Sequence, residues 1–169
     1  MNEIDWTAPI EPGRGMLGLK LGMSEACARA ALGEGGEVVE FRNSPKLRLD
    51  YRDAGVALLR VADIGGVLYE WQDIAAGLIF EDGFLTRIFV QSDPSIKAFL
   101  YRGKIFDAVA LAGLVVDLLN FGSFEYDDVE EVFFSDQWHG VEIGGMGACD
   151  LTVDPEQRVT FIKVFRSER

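Results

Sequence analysis

Between Ile105 and Gln157 this chain contains neither lysine nor arginine. The same stretch holds 12 of the 28 acids, so the rest of the chain balances 16 acids against 16 bases, and one segment supplies the whole net charge of −12. A surface of that sign excludes nucleic acid and anionic membranes as direct partners, since both require cationic contacts. Cysteine is scarce as well. Cys27 and Cys149 are too few and too far apart for a disulfide framework or a metal clip. No apolar run approaches the ~18 residues that a membrane-spanning helix needs. The opening MNEIDWTAPIEP carries acids and prolines where a secretory signal has a basic and then an apolar region, and no lipidation cysteine lies near it. The expected compartment is the cytoplasm.

What is present is apolar and aromatic: 12 Phe, 4 Tyr and 3 Trp, enough to bury a real core and to exclude disorder. Residues 1–16 read as an extended arm, kept from helix by Pro9 and Pro12 and pinned by Trp6 and Ile10. Gly13-Arg14-Gly15-Met16-Leu17-Gly18 matches G-x-G-x-x-G. That fingerprint binds dinucleotides only with a strand before it and a helix after it, and here prolines precede and an alternating strand follows, so it reads as a turn. Leu17, Leu19 and Leu21 then form a short strand. A helix follows, with Ser24 as N-cap, Glu25 at the positive end of the dipole and Gly33 as its left-handed stop.

Strands are expected at Val38–Phe41, Leu47–Tyr51, Val56–Val61 and Val67–Gln72. Leu78–Phe80 and Leu85–Val90 form a hairpin across Glu81-Asp82-Gly83, with Gly77 marking a bulge. Beyond a polar link at Ser92–Leu100, Asp107–Leu119 reads as a second, nearly all-apolar helix capped by Asp107. Strands follow at Val129–Phe134 and Gly140–Ile143, and Asp150–Val153 pairs with Arg158–Phe165. The two halves have the same element order, and Leu85-Thr86-Arg87-Ile88-Phe89-Val90 matches Val159-Thr160-Phe161-Ile162-Lys163-Val164. The expected fold is therefore α+β: two similar strand-helix-antiparallel-strand units, 17–92 and 93–169, after the arm 1–16, each helix covering one face of its own sheet.

Leu21-Gly22-Met23-Ser24 and Leu32-Gly33, the aromatic strand with Trp71, then Leu78–Gly83 with Ile88, resemble the small bacterial lipoproteins of the SmpA/OmlA (BamE-like) type. The similarity covers the first half only. It implies a helix on a three-stranded sheet used as a protein-binding scaffold. The whole pattern is also similar to small acidic immunity proteins encoded beside bacterial toxins.

Candidate chemistry is thin. His139 is the one histidine, and an enzyme would use it as a general base oriented by Asp136; a turn histidine packed on Trp138 is the simpler reading, so no catalytic residue is assigned. Glu125, Asp127 and Asp128 offer oxygen donors but lack the spacing of a calcium loop, so neither a metal nor a cofactor is expected. The densest acids, Glu125, Asp127, Asp128, Glu130, Glu131 and Asp136, with Tyr126 and Trp138 beside them, form the candidate partner-binding surface. Charge would attract a basic protein, a nuclease-type toxin above all, and the aromatics would anchor it. A structural scaffold and a small enzyme using His139 are the competing readings.

Overall fold

In the computed structural model, which describes residues 3–52, 55–62, 69–93, 101–145 and 147–167, nine strands form one antiparallel sheet in the order β3-β4-β5-β6-β7-β11-β10-β9-β8. These are β3 (Val38–Glu40), β4 (Lys46–Arg52), β5 (Val56–Val61), β6 (Ile74–Glu81), β7 (Phe84–Gln91), β8 (Glu125–Asp127), β9 (Val132–Phe134), β10 (Val141–Gly144) and β11 (Phe161–Phe165). A separate small hairpin pairs β1 (Gly15–Met16) with β2 (Leu19–Lys20). Among the described residues the helical elements are α1 (Glu25–Leu32) and a 3₁₀ turn, Val115–Asn120. The expectation of two strand-helix units is overturned, and the internal duplication with it. The sheet is continuous across the midpoint through β7 and β11, and among the described residues only the first half carries an α-helix. The two matching segments turn out to be neighbours, with Val90 opposite Ile162 and Ile88 opposite Val164. Their common pattern reflects two adjacent strands alternating toward one core.

Where local signals are strong, the chain follows them. Ser24 Oγ accepts from Cys27 N at 3.2 Å, and Gly33 ends α1 at φ 103°. Asp82 and Gly83 both take positive φ in the β6–β7 turn, as a two-residue hairpin requires. The bulge in that hairpin lies between Ile79 and Phe80, not at Gly77. Gly77 instead leaves room for the ring of Phe89, 2.3 Å from where a Cβ would stand.

The expected helix Asp107–Leu119 is replaced by irregular chain as far as Leu114 and by the 3₁₀ turn from Val115. Ile105–Val109 closes a tight turn with Phe106 and Asp107 at φ 58° and 54°, values a helix cannot contain. The following amides bond a distant segment: Ala112 N donates to Val159 O at 2.8 Å, Val115 N to Gln157 O at 3.1 Å, and Val159 N returns to Gly113 O at 2.8 Å. Non-local pairing thus satisfies backbone groups that a helix would have satisfied locally. Val129–Phe134 is likewise divided into a turn and β9, Asp150–Val153 is a turn, and β11 pairs with β7 and β10. Of the strand expected at Val67–Gln72, residues 67–68 lie outside the described residues and 69–72 form bends and turns ahead of β6; the link Ser92–Leu100 is described only through Asp93.

One face of the sheet is the core. Leu49, Leu59, Leu78, Ile88, Val90, Ile143, Ile162 and Val164 are all buried on it. Trp6 and Ile10 from the arm, Leu17 and Leu19 from the small hairpin, Ala28 and Leu32 from α1, and Ile105, Val115 and Leu118 from the irregular segment complete one cluster with them. Tyr101 fastens the arm: its hydroxyl accepts from Leu17 N at 3.1 Å and donates to Ala8 O, and its ring meets Trp6 edge-on at 5.4 Å. No helix among the described residues is long and apolar enough to cross a membrane.

Candidate functional site

The acidic hairpin ends up at one edge of the sheet, where β8 is the last strand and, among the described residues, pairs only with β9. Glu125 stands opposite Phe134, Tyr126 opposite Phe133 and Asp127 opposite Val132. Strand alternation sends Tyr126 and Phe133 to the core side, with ring centres 5.1 Å apart, and Glu125 and Asp127 to the other face. Tyr126 is half-buried and its hydroxyl donates to Ala148 O at 2.9 Å, so this ring ties the hairpin to the body.

Residues 128–131 make the turn. Asp127 Oδ1 accepts from Val129 N at 2.9 Å and Glu130 N at 3.2 Å, and Glu131 takes φ 56° to close it. Asp127 is therefore a turn-holding carboxylate, while Asp128, Glu130 and Glu131 are exposed around a protruding Val129. A second acidic loop joins them. The bond from Tyr126 to Ala148 O lies two residues ahead of Asp150, and burial first, with the charges of Glu131, Cys149, Asp128 and Asp150, holds the Tyr126 phenol above its ordinary pKa. The loop is shaped by its own acids: Asp150 Oδ1 accepts from Thr152 N and Oγ1, both at 2.8 Å, and Asp154 Oδ1 from Glu156 N at 3.0 Å. Those bonds from Thr152 hold the Asp150 carboxyl below the usual range.

Asp136 and Trp138 sit at the other end of the hairpin, roughly 10 Å away along a three-residue strand. Ser135 Oγ accepts from Gln137 N at 3.1 Å and Trp138 N at 3.3 Å. The indole N–H of Trp138 reaches Phe121 O at 2.8 Å, and its ring lies 4.6 Å from Phe106, which in turn stacks on Phe121 at 5.0 Å. Trp138, Phe121, Leu119 and Val116 all remain at least a third exposed. Phe106, Phe121 and Trp138 form an aromatic patch, and Val116, Asp117, Leu119 and Asp136 are exposed next to it in the sequence. Sequence reasoning missed Phe121, Leu119 and Val116 because it placed the last two in a buried helix, and it missed Asp150 although the Asp-x-Thr turn signal was there to find.

Charge pairing separates the two halves. Among the described residues, every salt bridge from a base ahead of position 105 ends on an acid ahead of position 105: Arg29 on Glu25, Arg42 on Asp5, Arg52 and Arg60 on Asp50 and Glu70, Arg60 also on Asp73, and Arg87 on Glu81. Among the described residues, Glu142 alone of the 12 acids in the base-free segment has such a partner, Lys163 at 3.3 Å. The acids also do not converge: among the described residues no three metal-ligating side chains gather at one point.

No protein-family model and no curated protein matches this chain. Among solved structures, a cysteine-rich secretory protein from Staphylococcus aureus is similar at a TM-score of 0.41 and 8% identity, over 99% of this chain and 51% of that one. The chain thus spans about half the length of that protein. A likeness so weak carries no argument about function, and it does not bear on the resemblance to the SmpA/OmlA lipoproteins. His139 is half-buried at the entry to β10, and its ring makes neither a hydrogen bond nor an ion pair with Asp136 or any other described residue.

Proposed function

We propose that this chain is a non-catalytic cytoplasmic binding protein that receives a basic protein partner on the β8–β9 hairpin and the loop 148–156, in the manner of an immunity protein covering a nuclease-type toxin. The observation that carries this reading is the pairing pattern. The first-part bases that form ion pairs, Arg29, Arg42, Arg52, Arg60 and Arg87, pair with acids of their own part, and eleven carboxylates of the base-free segment have no ion pair among the described residues. Like charges crowded in this way raise the energy of the folded chain, and a cationic surface relieves them. Asp128, Glu130, Glu131 and Asp150 would steer the partner, and the fixed ring of Trp138 with Phe121 would slow its departure, because an already ordered anchor loses little entropy on binding.

The test is affinity capture with the parent chain and with a bait carrying Asp128→Lys, Glu130→Lys and Glu131→Lys. A strongly basic protein retained by the parent and lost from the variant is expected, and its nuclease activity should fall on adding the parent chain. A captured partner that is acidic or neutral, or retained equally by both baits, overturns the proposal.

A further inference from the structure

A cleft of about 490 Å³ opens beside the β1–β2 hairpin, and three bases line it: Arg14, Lys20 and Arg166. All three are exposed, and among the described residues none forms a salt bridge, in contrast to Arg29, Arg42, Arg52, Arg60, Arg87 and Lys163. Glu11 is the one carboxylate on the lining, and among the described residues its carboxylate forms no salt bridge with any of them. Arg166 is laid across Gly22: its guanidinium nitrogen is 3.4 Å from where a Cβ would stand, and Gly22 holds φ 89°, so a side chain there would strain the backbone and crowd the guanidinium.

The glycine run Gly13–Gly18 forms one wall. Four of its six amides are engaged elsewhere and leave no dinucleotide cradle: Gly13 N on Gly140 O at 3.0 Å, Arg14 N and Gly15 N on Glu11 O at 3.0 and 3.1 Å, and Leu17 N on Tyr101. Any recognition of an anion here falls to the three side chains. Cations sharing one concavity concentrate their field, and a guanidinium meets phosphate oxygens through two parallel N–H···O bonds. The cleft volume is within the range that holds small ligands. We propose that this cleft binds a small phosphate-bearing anion, independently of the acidic face.

The experiment is isothermal titration of the full chain at low ionic strength with pyrophosphate, ADP and citrate, using the parent, Arg14→Gln, Arg166→Gln and, as a control, Arg48→Gln on the exposed face of β4. Pyrophosphate should bind, Arg14→Gln and Arg166→Gln should each weaken it at least tenfold, and Arg48→Gln should leave it unchanged. ADP matching pyrophosphate supports a site for the phosphate group itself; ADP binding much more tightly supports a nucleotide as its source. The altered side chains are exposed, and unchanged melting curves confirm intact folds. No binding at millimolar pyrophosphate, citrate binding equally well, or an equal loss in Arg48→Gln overturns the proposal.

Discussion

Replacing Gln157 by Ala should loosen the loop that carries Asp150, Asp154 and Glu156 toward the hairpin. Gln157 is only 9% exposed. Its Nε2 donates to Cys149 O and to Asp154 O, the latter at 3.1 Å, and its Oε1 accepts from Cys149 N at 3.3 Å. Three hydrogen bonds at about 1 kcal/mol net each set the scale, and water reaches part of the loop since Cys149 is half-buried and Asp154 exposed, so a loss of about 2 kcal/mol is expected. In a chain of 169 residues that corresponds to a fall in Tm of about 4–8 °C, read by circular dichroism. Gln157→Glu sharpens the test. It keeps an acceptor but loses the donor that two of the three bonds need, and it aims a carboxylate at two carbonyls, so it should be at least as destabilising as Gln157→Ala at neutral pH. A Tm within 1 °C of the parent for Gln157→Ala, or a Gln157→Glu variant as stable as the parent, would refute the clamp.

Asp107→Gly should stabilise the chain by about 0.5–1 kcal/mol in urea titration, because Asp107 is exposed and sits at φ 54°, a conformation glycine takes without penalty; a loss of stability would contradict the turn geometry. Arg60→Met should cost about 2–3 kcal/mol, since it strips partners from Asp50 at 3.0 Å, Asp73 at 2.6 Å and Glu70 O at 2.7 Å. Burial pushes the Asp50 carboxyl up, but hydrogen bonds from Arg52 and Arg60 outweigh it and hold the pKa low, so this stabilisation is present above about pH 4 and is lost as pH falls through the depressed value. The gap between parent and Arg60→Met should accordingly narrow below about pH 4. Tyr126, with its pKa raised, favours folding below about pH 10 and loses that contribution as pH climbs through the raised value. NMR titration should find its pKa lowered by Asp150→Asn or by added salt, and no response to either would mean the acids do not face it.

The elements legible in the sequence are those whose cause is local. Ser24 and Gly33 delimit α1 by capping chemistry, and Asp82-Gly83 sets its hairpin through positive φ. The segment from Ile105 to Leu119 was illegible for the opposite reason. Val109, Leu111, Val115 and Leu118 are buried, as a core helix would have them, yet the backbone bonds that decide its conformation come from Gln157 and Val159, some forty residues on. Phe106 at positive φ has no signature in the sequence, and its ring under Trp138 makes that region a patch. The acidic block was plain from composition. Its internal division was not, since only the turn geometry shows that Asp127 holds the backbone while its neighbours face outward.

The association rate of the captured partner, measured against ionic strength for the parent and for the Asp128→Lys, Glu130→Lys, Glu131→Lys variant, tests the central claim most directly. Asp127 stays in place so that the turn survives. Exposed charges act over a Debye length of about 8 Å at physiological salt, so steering should appear mainly in the association rate. The acidic face predicts a parent rate that falls steeply with added salt, and a variant rate at least tenfold lower at low salt with a nearly flat salt dependence. Equal rates with the same salt dependence in both proteins would contradict it.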